Sequence, residues 1–194
     1  MLRRPRKSHH LFVCILLAYF CCDGFPSAGA SGIGICEREM ASASVAENVP
    51  LGVLYAVGLT ETGHHGQLQP YALNVEGRTI IASSLKEAIA TFAKERNSGM
   101  VLIDVGCMQI NHHYHGKEFA SVAAMFDPAI NVRYAARFLR SLKEREGSWS
   151  MAVARYHAGP NNNPAQKRYI CAVIRHLVVS GFGNWTPAAR AFCK

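Results

Sequence analysis

Leu51-Gly52-Val53-Leu54-Tyr55-Ala56-Val57-Gly58-Leu59-Thr60-Glu61-Thr62-Gly63 follows Pro50 and reads as a helix opened by a proline and stopped by a glycine. Leu54, Val57, Gly58 and Glu61 step by 3, 1 and 3, so the four share one helical face. That face is apolar apart from a single carboxylate near the helix end. A glutamate so placed loses hydration of its charged form, its pKa rises, and it becomes suited to donating a proton near neutrality. A lone glutamate in such a stripe is more often one half of an ion pair, so the stretch gains meaning only from its surroundings.

Upstream, Glu37 to about Asn48 reads as another helix. Downstream, Leu73, Val75, Thr79 and Ile80 flank Glu76-Gly77 and predict a small β-hairpin within Tyr71–Ile81. Ser84 with Glu87 three residues later is a capping box that opens a helix to about Arg96, and Asn97-Ser98-Gly99 closes it. Met100 to Val105 is short, apolar and extended. Asp127-Pro128 starts a long helix to about Glu146, ended by Gly147. Ser150 opens a helix that stops at Gly159, and the polar loop 161–164 leads into a last helix near 165–180. The fold class is therefore α+β, predominantly α-helical, with a small β-hairpin after the helix that carries Glu61.

Residues 1–30 read as a secretory signal peptide. Arg3, Arg4, Arg6 and Lys7 form a positive start, Leu11 to Cys22 an apolar run of twelve, and Ala28-Gly29-Ala30 a small-residue cleavage site before Ser31. A twelve-residue run is too short for a bilayer, which needs about 20 residues, so no stable membrane insertion is expected after cleavage. The whole chain has 194 residues, 21 Lys+Arg, 13 Asp+Glu, a formal charge of +8 and seven cysteines. Without the leader these become 164 residues, +5 and four cysteines, in one domain spanning 31–194. Hydrophobic residues at 49% and aromatics at 9% exclude a disordered chain. Cys36, Cys107, Cys171 and Cys193 allow two disulfides in an exported protein. Because chain ends often lie close together, the preferred pairing is 36 with 193 and 107 with 171.

Three islands carry the chemistry. They are Glu61-Thr62-Gly63, Gly106-Cys107-Met108-Gln109-Ile110-Asn111 and Ala154-Arg155-Tyr156-His157-Ala158-Gly159. Gln109 and Asn111 offer amides of the kind that read sugar hydroxyls and acetamido groups. Tyr156 shares a helical face with Ala152 and Val153, from which a phenol can enter a cleft. Together and in this order the islands resemble the motifs E-S/T-G, G-L-M-Q-I-N and A-x-Y-N-A-G of lytic transglycosylases. These are SLT-domain members of the lysozyme-like, goose-type superfamily. The resemblance runs from about Cys36 to at least Ala172. The segments PLGVLYAVGLTETG, QPYALNVEG and FDPAINVRYAARFLRSL are also similar to the small transglycosylases that accompany type III and type IV secretion or conjugation machines.

The resemblance implies a lysozyme-like fold, peptidoglycan as substrate, no cofactor and a bacterial periplasmic or secreted location. It implies Glu61 as the catalytic acid, with Thr62, Met108, Gln109, Asn111, Tyr156 and His157 at substrate-binding positions. Cys107 stands where leucine is usual, and His157 where asparagine is usual, which puts that position's hydrogen bonds in doubt. The implied reaction cuts the bond between N-acetylmuramic acid and N-acetylglucosamine without water and leaves a 1,6-anhydromuramoyl end. Components of a secretion or conjugation apparatus are the implied partners of what is expected to be a monomer.

Other signals weigh less. Asp104, the one other acid next to a motif, reads as a capping or turn residue ahead of Gly106. His112, His113 and His115, with His64 and His65, invite a metal, but they lack the ligand spacing and acidic or cysteine partner of such sites and read as cleft wall. The basic excess is spread over helices at intervals of 3–4 residues, like solvated faces, and gives no reason to expect nucleic acid. Two rival readings remain, a wall-binding scaffold without turnover and a goose-type hydrolase.

Overall fold

The protein was analysed as a computed structural model that describes residues 34–64, 66–159, 161 and 163–194; the expected export signal at 1–30 lies outside the described residues. Helix α1 (Ile35–Glu47) ends at Asn48, whose left-handed φ of 51° lets the chain reverse into α2 (Leu51–Thr62). Gly63 follows α2 with φ −58°, so it is not a left-handed cap. Its role is steric, since a Cβ there would stand 2.3 Å from the Leu59 carbonyl oxygen.

The hairpin is the first part of a larger sheet. Strands β1 (Ala72–Val75) and β2 (Arg78–Ile81) are joined by Glu76 and Gly77, both at positive φ (49° and 95°), the backbone of a tight type I′ turn. Strand β3 (Ile103–Val105) pairs with the other edge of β1, and β4 (Ile110–Asn111) with β3, giving an antiparallel order β2-β1-β3-β4. The extended stretch expected at 100–105 is thus β3, and β4 lies inside the second motif. Asp104 is consequently a strand residue, opposite Asn111, rather than a cap.

Helix α3 (Leu85–Asn97) is capped by the Ser84 hydroxyl, while the Glu87 carboxylate returns to Ser83. A one-turn helix α4 (His112–His115) and a short α5 (Val122–Phe126) lead to α6 (Pro128–Glu146), capped by Asp127 and closed by Gly147 at φ 79°. Helix α7 (Trp149–Ala158) is capped by Ser148, two residues before the expected Ser150, because Ser148 Oγ accepts the Met151 amide. Helix α8 (Asn163–Val179) and a short α9 (Pro187–Phe192) complete the chain. α1 packs on α6, α2 on α8, and α7 on both α6 and α8. Leu54 and Val57 of α2 enter a core that also takes Met40, Leu73, Ile103, Met108, Phe126 and Leu139. Among the described residues, no helix is long and apolar enough to cross a membrane.

Asn131 of α6 joins the helices to the sheet. Fully buried, it donates Nδ2 to the Val105 and Met125 carbonyls at 3.0 and 2.8 Å and accepts the Met108 amide on Oδ1 at 2.9 Å. Buried amides left unpaired cost about 1–3 kcal/mol each, so one side chain fixes the start of the second motif. Gly106 is required there, with φ 81° and space for a Cβ taken by Asn131 Nδ2 at 2.5 Å.

The disulfides differ from the expected pairing. Cys36 bonds Cys107, and Cys171 bonds Cys193. The reason is the course of the tail. It reverses after α8 at Gly181 (φ 76°), where Phe182 N–H returns to the Leu177 carbonyl, and brings α9 back to α8 instead of to α1. Cys36 is left facing the loop after β3.

Candidate active site

Glu61 arrives on α2, the loop Gly106–Asn111 from between β3 and β4, Tyr156 and His157 on α7, and Tyr169 on α8. The Glu61 side chain is 15% exposed. Burial raises its pKa from 4.5 to about 8, the Tyr169 hydrogen bond pulls it down, and the nearby Asp104 charge pushes it up. The net result is a carboxyl that holds its proton through neutrality. Tyr169 OH donates to Glu61 Oε1. A protonated carboxyl has one acceptor oxygen and one hydroxyl, so with Oε1 accepting, the acidic proton belongs on Oε2.

Tyr169 is not among the expected residues, yet a signal for it exists. Gln166, Tyr169, Ile170 and Val173 step by 3, 1 and 3 and are all buried, the same stripe that marks Glu61 on α2. A phenol in an apolar stripe needs a partner for its hydroxyl, and the packing of α2 on α8 supplies Glu61. Burial beside Glu61 holds the Tyr169 phenol well above its usual pKa, so it stays a donor. Tyr169→Phe removes the donor that favours the Glu61 carboxylate. Its pKa then rises further, and the alkaline fall of the pH–rate profile is expected to move to higher pH while turnover drops roughly 10–100-fold. An unmoved alkaline limb in that profile would refute this role.

His157 lies flat against Tyr169, with ring centroids 4.2 Å apart and planes 5° from parallel, and its Nδ1 is 4.0 Å from Glu61 Oε1. Burial and the positive charge of Arg168 lower its pKa below 6.5, so near neutrality it faces Glu61 as an uncharged ring. Tyr156 donates its hydroxyl to the Met108 carbonyl at 2.7 Å, tying α7 to the second motif. Burial and the neighbouring carboxyls keep that phenol protonated.

The remaining expected residues sit close by, but most of their polar atoms turn inward. Thr62 is buried, donates to the Cys107 carbonyl at 3.1 Å and receives the Gln69 amide, so it clamps the helix end to the loop. The Met108 side chain has no exposed surface, and its backbone groups do the bonding. Gln109 takes a left-handed φ of 46° and donates Nε2 to the Ala72 and Gly106 carbonyls, at 3.2 and 3.0 Å. Asn111 donates Nδ2 to Asp104 at 2.7 Å, while its Oδ1 caps α4. Asp104 Oδ1 is thereby engaged, and the pKa of the group is raised by burial against the opposing Asn111 bond.

The histidines disperse. His112 packs edge-on against Phe92, His115 Nδ1 lies 2.8 Å from Tyr134 OH, and His113 stands at the surface beside Tyr114. His64 bridges to Gln67, and His65 lies outside the described residues. Among the described residues no three side chains of metal-ligating type converge.

Neither curated proteins nor solved structures gave a match to the chain. A family model, described as Transglycosylase SLT domain, matches residues 40–172. That span begins at Met40 in α1 and closes at Ala172 in α8, three residues beyond the tyrosine that holds Glu61. With about two-thirds of its length matched, this chain belongs to the transglycosylase SLT domain family.

Proposed function

We propose that the protein is a peptidoglycan lytic transglycosylase in which Glu61 serves in turn as acid and base. The reading rests on one observation above all, a carboxyl with a pKa of about 8 that a phenol holds by one oxygen. Glu61 Oε2–H protonates the glycosidic oxygen leaving C1 of N-acetylmuramic acid. The resulting carboxylate then accepts the proton of the muramoyl C6 hydroxyl as that oxygen closes on C1. Protons balance, and Glu61 ends as it began. A hydrolase of the usual kind needs a second working carboxylate, about 5–5.5 Å away for retention or 6.5–9.5 Å for inversion. Asp104 is poorly suited to that task, since Asn111 engages its Oδ1 and burial disfavours its charge.

Mass spectrometry of muropeptides released from purified sacculi tests the reaction. Anhydromuramoyl ends are the expected product. Reducing ends would make the protein a hydrolase, and no release at all would leave the scaffold reading. We also place the enzyme outside the cytoplasm, opening the wall locally for a secretion or conjugation apparatus. The two disulfides suit an oxidising compartment, and the resemblance to transglycosylases of such machines supports the pathway.

A further inference from the structure

From Gly147 to Lys194 the chain has six Lys/Arg and no Asp or Glu, so every acidic residue lies before α7. The segment after Ala172 also falls beyond the family match. On α8, Lys167, Arg168 and Arg175 are exposed. At about 100° per residue they occupy an arc of roughly 100°, away from the face that carries Tyr169. The returning tail adds to this side. The Cys171–Cys193 bond fastens it, Lys167 Nζ stands 5.5 Å over the Phe192 ring, and the Arg190 guanidinium 5.7 Å over Trp185. Among the described residues none of these cations pairs with an Asp or Glu side chain, and Lys167 Nζ donates to Lys194 O at 3.4 Å. Two of them are held on aromatic rings, which reduces the side-chain entropy lost when a ligand binds. Arg168 joins the surface to the catalytic rim, because its charge is felt by His157, 4.0 Å from Glu61.

We infer that the outer face of α8 and the tail, centred on Lys167, Arg168 and Arg190, is a second binding surface that takes the carboxylate-bearing peptide stems of the wall. It would hold a glycan strand beside the cleft while Glu61 acts on it. The occupant follows from charge. The face offers cations without competing Asp or Glu side chains, and peptide stems offer carboxylates in series along a strand that the catalytic site must also hold. This inference depends on the proposed substrate, and its test is independent of turnover.

Retention on purified sacculi is measured by co-sedimentation in the Glu61→Gln background, with and without Lys167→Glu and Arg190→Glu. Charge reversal should weaken retention roughly tenfold at low salt, and the difference should shrink as salt is added. The neutral pair Lys167→Gln and Arg190→Gln should give a smaller loss in the same direction, and unchanged thermal unfolding midpoints would confirm that both pairs fold. Retention unaffected by reversal would overturn the surface even if anhydromuramoyl products form. Equal, reversal-sensitive binding to DNA or to vesicles of anionic phospholipid would overturn it as well, since the face would then be a general polyanion site. Reducing ends in the product analysis would instead remove the transglycosylase reading and leave the retention result standing.

Discussion

Glu61→Gln is expected to lower turnover on purified sacculi by ~10²–10⁴-fold while making the fold more stable at neutral and alkaline pH. The first effect follows because glutamine keeps an acceptor for Tyr169 but has no proton to give. The second follows from the raised pKa. In the unfolded chain the carboxyl ionises near its ordinary 4.5, whereas in the folded protein it resists ionising until about 8. Below pH 4.5 both states hold the proton and nothing is lost. Between the two values only the folded state holds it, so stability falls by ~1.4 kcal/mol per pH unit. Above about 8 the loss is complete. Because the side chain retains 15% exposure, water relieves part of the penalty, and we expect a total on the order of 2–4 kcal/mol. The stability advantage of the glutamine variant should therefore open between pH 5 and 8 and then level off. Denaturant titrations across that range read it directly, and a gap independent of pH would contradict the assigned pKa.

The second large effect is expected on removing the Cys36–Cys107 bond. It closes a sequence separation of 71 residues between two cysteines with no exposed surface. On the chain-entropy account such a loop is worth roughly 4 kcal/mol. Cys36→Ala with Cys107→Ala should thus remove a large share of a small domain's stability and lower the midpoint of urea unfolding accordingly. Turnover should fall too, because Met108 follows Cys107 and its two backbone groups carry the Asn131 and Tyr156 bonds. An unchanged midpoint would mean that the loop is held without the bridge.

Local chemistry made much of this molecule readable in advance. The 3-1-3 stripe identified α2, Glu76-Gly77 placed the hairpin turn, and Asp127-Pro128 marked the start of α6 at the residue where it begins. What stayed hidden depends on partners distant in sequence. Strand β4 is two residues long and has no periodicity of its own, so its existence follows only from pairing with β3. The disulfide pairing depends on where the tail turns. Tyr169 acquires its role from a helix 108 residues away. Thr62 and Met108 are expected at substrate-binding positions, but only the packed loop determines that their side chains face inward.

The bridge between Cys36 and Cys107 also changes the topology of the chain. It converts that stretch into a closed covalent ring that contains α1, α2 with Glu61, the hairpin, α3 and β3, with α4 to α9 attached as a tail. A single peptide-bond cut within a ring opens it without dividing it. The exposed turn around Gly66 and Gln67, just past α2, is on that ring. A protease nicking it would yield a protein that still migrates as one chain until a reductant is added, with Glu61 still linked through the bridge to the loop that Tyr156 holds.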